Sequence, residues 1–311
     1  MKPIYHLLLN YSKKHYNTKA LLSILLLLAI CISINYSIEL EDDYIDQIQH
    51  DGWRFLAMFF FQGLPYLLTI WILQTFGLVG KWWEFKGFWF TFIIGFSLLA
   101  LDRSVYFADE VSRHITPLNY RYNFKIVNFL SGLVFIIIPL LVFGWITQKD
   151  NKSFGLFSRF TGIKPYLILL AFGILCVFIG GFFGDIQDYY PIYNKANPIF
   201  HQQKTGLNNF ESIALFETSY ALSFISVEVF FRGFLIFAFS RYLGTYVVFP
   251  MAVTYCVLHF GKPMTETISS IFGGYILGIV ALKHKNIRGG ILIHVGMALS
   301  MEIIGYLHRI I

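Results

Sequence analysis

The chain has 311 residues, 56% of them hydrophobic, 19% aromatic and only 14% charged, where soluble domains carry roughly 25% charged residues. A single water-soluble domain is not what this composition builds. The formal net charge of +6 is modest and does not point to nucleic acid.

Basic and polar residues through Lys19 precede a long apolar run, Ala20 to Ile38, with no small-residue cleavage site after it. The run reads as a retained signal-anchor helix. Further apolar runs follow, each near the roughly 20 residues that cross a hydrocarbon core as helix. They are Phe55 to Val79, Trp82 to Leu101, Ile126 to Ile146, Tyr166 to Phe183, Ile213 to Phe239, Tyr242 to His259, Thr267 to Leu282 and Ile287 to Leu307. The fold class expected is all-α, a polytopic transmembrane helix bundle of about nine spans. The third run is uninterrupted only from Gly87 and borrows Trp82 and Trp83 as interfacial aromatics to reach full length. Cys31, Cys176 and Cys256 all fall inside apolar stretches, without CxxC or Cys/His metal spacing, and read as small buried hydrophobes.

Lys and Arg are retained on the cytoplasmic side. With the N-terminus inside, 14 of them fall on inner segments and nine on outer ones, Arg232 alone being intramembrane. N-in, C-out is therefore the expected layout. The segment Asp102 to Lys125 is discordant, with four basic residues on the outer side. Two longer outer loops, Glu39 to Arg54 and Asp185 to Glu211, carry acidic and aromatic residues and read as ordered interfacial caps or a docking surface. The chain divides into an N-terminal block, 1–164, of about four spans, and a segment 165–311 with one preceding span, an outer loop and a four-helix core.

An ionisable side chain at bilayer depth costs about 2.5 to 3.5 kcal/mol on insertion scales, so it faces a partner or a water-filled cavity. Six such residues gather in the last four helices: Glu217, Glu228, Arg232, His259, His294 and Glu302. Glu228 and Arg232 are four apart, with the acid N-terminal, the better order for an ion pair. Glu217 lies on the same face as Glu228, about three turns earlier. A lone histidine in an apolar helix is more often a hydrogen-bonded core residue. Two histidines with an acid and an arginine on three consecutive helices can instead hold and polarise one water away from bulk solvent.

These residues resemble the CPBP family, which includes CAAX prenyl endopeptidases and Abi-type bacterial membrane proteins. The family's EExxxR motif is matched by Val227-Glu228-Val229-Phe230-Phe231-Arg232, its FxxxH by Tyr255 to His259, and its HxxxN or HxxxD by His294 to Ala298. The resemblance spans roughly Ile213 to Ile311 and implies an intramembrane endopeptidase with Glu228, Arg232, His259 and His294 as catalytic positions. It also implies a membrane-embedded or lipidated peptide as substrate and a bacterial cytoplasmic membrane as location. Two positions depart from the family. Val227 replaces the glutamate taken to activate the hydrolytic water, and Ala298 replaces the Asn or Asp that hydrogen-bonds an oxyanion.

Three carboxylates are candidates to compensate. Glu228 would need a twisted or bulged helix, being rotated about 100° from position 227. Glu302, one turn beyond Ala298, would bring its carboxylate toward His294, or else lie near the outer interface beside Arg309 or water. Glu217 is the third. Zinc held by His259, His294 and Glu228 has acceptable ligand types, but no HExxH-like local spacing supports it. The competing expectation is a pseudoprotease, a membrane binding or scaffold subunit that keeps the fold without hydrolysis. A proton-relay transporter is disfavoured by the lack of paired broken helices in two halves.

Overall fold

The computed structural model describes residues 2–104, 107–115, 119–147, 153–160, 162–182, 184–196 and 207–310. Phe183, at the expected end of the fifth span, and Lys149, Lys152 and Lys204 among the counted basic residues lie outside the described residues.

Every regular element among the described residues is helical. Helix α1 (Lys2–His15) was not anticipated as an element; it is followed by α2 (Thr18–Ile38). Asn17 starts α2 where the apolar run begins, its side chain accepting from the Ala20 N–H at 3.0 Å. A π-helical turn, Leu40–Ile45, leads to α3 (Asp51–Thr75). The third expected span begins later than the sequence suggests: Trp82–Glu84 form a 3₁₀ turn, and α4 runs over Lys86–Ser104. Helices α5 (Phe107–Ile115) and α6 (Tyr120–Gly132) follow, and a π-helical turn, Leu133–Ile137, carries α6 into α7 (Ile138–Thr147). Helix α8 (Lys164–Gly180) has Pro165 in its first turn, where no N–H is missed. Two short helices come next, α9 (Gly184–Tyr189) and α10 (Ile192–Lys195).

Helix α11 (Asn209–Glu228) opens on a reciprocal cap. Asn208 Oδ1 accepts from the Glu211 N–H, and Glu211 Oε2 accepts from the Asn208 N–H, each at 2.9 Å. A π-helical segment, Val229–Leu235, joins α11 to α12 (Ile236–Leu243). Helices α13 (Val248–Val257), α14 (Met264–His284) and α15 (Arg288–Ile310) complete the chain.

Among the described residues, seven helical stretches are long and apolar enough to cross a membrane. One of them, 209–257, holds both the sixth and seventh expected spans. The chain reverses inside it at Gly244, whose φ of +57° is open to glycine without a Cβ penalty. Phe231 before the reversal and Tyr255 after it meet with ring centroids 5.2 Å apart. The fifth expected span is α8, shorter than the others at 17 residues. Leu22, Leu25, Leu26, Ile30 and Ile34 of α2 stay exposed, as side chains do where the surrounding solvent is hydrocarbon. The protein is an all-α, polytopic membrane helix bundle.

Its largest apolar cluster draws on both halves of the chain. Tyr66 of α3 and Phe88, Phe92 and Phe96 of α4 pack with Phe230, Phe234 and Phe239 around the π-helical segment. Tyr66 meets Phe239 at 5.3 Å, and Phe96 meets Phe230 at 6.3 Å between centroids. Helices that carry none of the candidate residues therefore brace the segment that carries Arg232.

Candidate functional site

Glu228 ends α11, Arg232 sits in the π-helical segment, Tyr255 lies on α13 and His294 on α15. The structure brings all four together. Glu228 and Arg232 are 0% and 1% exposed, so neither charge is solvated by bulk water and each depends on partners. Glu228 Oε1 lies 2.9 Å from Arg232 Nη1 and 3.0 Å from His294 Nδ1. A carboxylate only accepts, so Nδ1 of a neutral His294 carries the hydrogen and Nε2 is left to accept from the Tyr255 hydroxyl, 3.2 Å away. The Arg232 guanidinium lies over the same tyrosine ring, Cζ 3.8 Å from its centroid, a cation–π contact in a desolvated place. Phe224 covers the other imidazole flank at 4.4 Å between centroids.

Helix α15 approaches Glu228 closely because residue 290 is glycine. A Cβ there would stand 2.4 Å from Glu228 Oε2. That oxygen has no hydrogen-bond partner among the described residues.

His259 lies past the end of α13, on the other side of Tyr255, with ring centroids 4.6 Å apart. Its Nδ1 is 2.8 Å from the Tyr255 carbonyl oxygen, and its own carbonyl accepts from the Thr267 hydroxyl at 2.7 Å. Its Nε2 faces Glu266 Oε1 at 4.0 Å. Glu266 in turn takes Lys262 Nζ on Oε1 at 2.6 Å and the Tyr190 hydroxyl on Oε2 at 2.8 Å. Burial alone would push the Lys262 ammonium down, but the Glu266 carboxylate it touches holds it above the usual lysine range. Glu266 is not among the candidate residues singled out from the sequence. Its signal was the Lys262/Glu266 spacing of four immediately after His259.

The other two carboxylates stand elsewhere. Glu302 was expected to turn toward His294. Its oxygens instead accept the backbone N–H groups of Ile192, at 2.8 Å, and Tyr193, at 3.4 Å. Both ring nitrogens of His294 are already engaged, whereas the first N–H groups of the short helix α10 need acceptors. The side chain of Arg309, the alternative partner, lies outside the described residues. Glu217 meets Glu302, not Glu228. The helix bulge that Glu228 would need to take over position 227 does occur, but it begins at Val229, and the Glu228 carboxylate is held by Arg232 and His294. Val227 packs against the main core. Ala298 is fully buried in an aromatic cluster with Tyr190, Tyr193, Phe216, Tyr220 and Phe224. The Tyr220 hydroxyl in that cluster is buried with no hydrogen-bond partner among the described residues.

Among the described residues, no group of three or more His, Cys, Asp or Glu side chains is arranged to hold a metal ion. The zinc set of His259, His294 and Glu228 does not converge, because His259 turns to Glu266 while His294 is used by Glu228 and Tyr255.

Over Lys262 lies an open cleft of about 260 Å³ whose lining includes Tyr36, Asp42, Asp185, Asp188, Tyr189 and Lys195. Asp185 accepts from the Thr265 hydroxyl at 2.9 Å, tying α9 to the start of α14.

Residues 209–300 match the family model described as Type II CAAX prenyl endopeptidase Rce1-like. No curated protein and no solved structure matches the chain. Glu228, Arg232, Tyr255, His259, Glu266, His294 and Ala298 all fall within the matched residues, and Glu302 falls just beyond them. Over the segment that builds this buried polar centre, the chain is similar to the CAAX-protease-like (CPBP) membrane proteins that this family model describes.

Proposed function

We propose that the protein is an intramembrane endopeptidase that hydrolyses a peptide bond of a membrane-embedded or lipidated substrate. The observation that carries this reading is the meeting of Glu228, Arg232, Tyr255 and His294 in one buried cluster, with His259 against the same tyrosine. Such groups are costly in an apolar bundle, and their concentration at one place within the matched segment suits a preorganised reaction centre. In this reading Glu228 and Arg232 hold His294 and Tyr255 in place beside the reacting carbonyl, and His259 faces the attacking water.

The test is cleavage of a prenylated peptide ending in a CAAX sequence, by purified protein in lipid vesicles. Glu228→Gln, His259→Ala and His294→Ala are each expected to reduce turnover at least about 100-fold. Wild-type turnover unchanged in all three variants would remove the reading.

A catalytically inactive binding or scaffold subunit is the second reading, favoured by the apolar packing of Val227 and Ala298. The double substitution Val227→Glu with Ala298→Asn separates the two. Proteolysis gained only in the double variant supports the inactive form, and loss of a native activity supports the rearranged site.

A further inference from the structure

Val227 leaves the site without a carboxylate at the position that the family resemblance assigns to water activation. No acid of α11 replaces it, since Glu228 is taken by Arg232 and His294, Glu217 lies against Glu302, and Glu211 caps the start of the helix. The carboxylate that faces an imidazole acceptor comes from α14. His259 Nδ1 lies 2.8 Å from a backbone carbonyl, which only accepts, so Nδ1 carries the hydrogen and the neutral ring presents a lone pair at Nε2. Glu266 Oε1 stands 4.0 Å from that nitrogen. Two acceptors at this separation are too far apart to bond directly and have no hydrogen to share. A single water donating one hydrogen to each, at ordinary lengths of about 2.8 Å, places its two acceptors about 4 to 4.5 Å apart. Lys262 and Tyr190 fix the carboxylate, and Thr267 fixes the turn that bears His259.

We infer that Glu266 supplies the water-activating carboxylate that position 227 lacks, acting with His259 on a water held between Oε1 and Nε2. This rests on the endopeptidase reading. The water oxygen bonds to the carbonyl carbon of the scissile peptide while one of its protons passes to the Glu266/His259 pair. The C–N bond then breaks and that proton goes to the departing amine nitrogen. One water is consumed, and a carboxyl and an amine terminus form. Tyr255, in contact with both imidazoles, sets this pair against the Glu228/Arg232/His294 cluster.

The experiment uses the full chain in lipid vesicles with a fluorescence-quenched farnesylated CAAX peptide as probe. Glu266→Gln is expected to lower kcat at least about 100-fold with KM within about threefold. Glu266→Asp, which keeps a carboxylate on a shorter arm and guards against a folding defect, is expected to retain more turnover than Glu266→Gln. In the same preparations, the side-chain ¹⁵N resonances of His259 are expected to move between wild type and Glu266→Gln. Turnover by Glu266→Gln within about threefold of wild type, or Glu266→Asp no better than Glu266→Gln, overturns the inference. So does an unmoved His259 resonance. A wild-type protein that cleaves nothing while the resonance still moves sinks the endopeptidase reading and the catalytic role with it, and leaves the Glu266–His259 pairing standing.

Discussion

Glu228 is the residue on which the most depends, and its surroundings show how closely a buried charge must be fitted. One oxygen is shared between a guanidinium and an imidazole, and the other is cleared only because residue 290 has no side chain. Gly290→Ala would drive a methyl to 2.4 Å from Oε2, so the carboxylate or α15 must shift. Overpacking of this kind costs about 1 to 3 kcal/mol. The predicted outcome is a lower thermal midpoint in detergent, together with a loss of peptide turnover larger than the loss of stability accounts for. A variant with wild-type midpoint and turnover would show that Glu228 is not held where it is described. The Glu228/Arg232 pair was readable from sequence, because a spacing of four on a helix needs no tertiary knowledge. The partners of Glu266 and Glu302 were not, because they are contributed by other elements. Tyr190 is 76 residues from Glu266, and Ile192 is 110 from Glu302.

The elements followed the hydropathy pattern closely, since a run that must bury in lipid declares itself without reference to its neighbours. Helix α1 was missed because a short, polar amphipathic segment carries little such signal. It is held by tertiary bonds that sequence cannot display: the Tyr11 hydroxyl donates to the Thr245 carbonyl at 2.5 Å, and the Ser12 and Tyr275 hydroxyls lie 3.2 Å apart. The π-helical turn Leu40–Ile45 is a second element set by context. Its Glu41 is buried and ion-paired with Arg103. Burial outweighs that pairing and pushes the Glu41 carboxyl up to about 7. The unfolded value is about 4.3. A carboxyl raised in the folded state contributes stability that is full below about 4.3 and is lost as pH rises through about 7. The thermal midpoint is therefore predicted to fall between pH 5 and pH 8, and Glu41→Gln to flatten that fall. An equal slope in wild type and variant would contradict it.

In the whole molecule, the N-terminal helices supply aromatic bulk, and the stretch from α11 to α15 supplies the ionisable groups of the buried centre. Tyr36 at the end of α2 donates to the Lys262 carbonyl at 2.7 Å, so the first half of the chain also pins the turn that follows His259. What joins the parts into one centre is the pairing of two helices, α11 and α15, through Glu228 and His294, residues 66 apart in sequence. Groups that act as a unit in catalysis are grossly non-additive. The decisive measurement is turnover of the prenylated peptide by Glu228→Gln, His294→Ala and the double variant. The predicted result is that each single change removes nearly all activity and the double variant is no slower than the slower single. Losses that multiply independently, or singles that leave turnover intact, would contradict a shared centre.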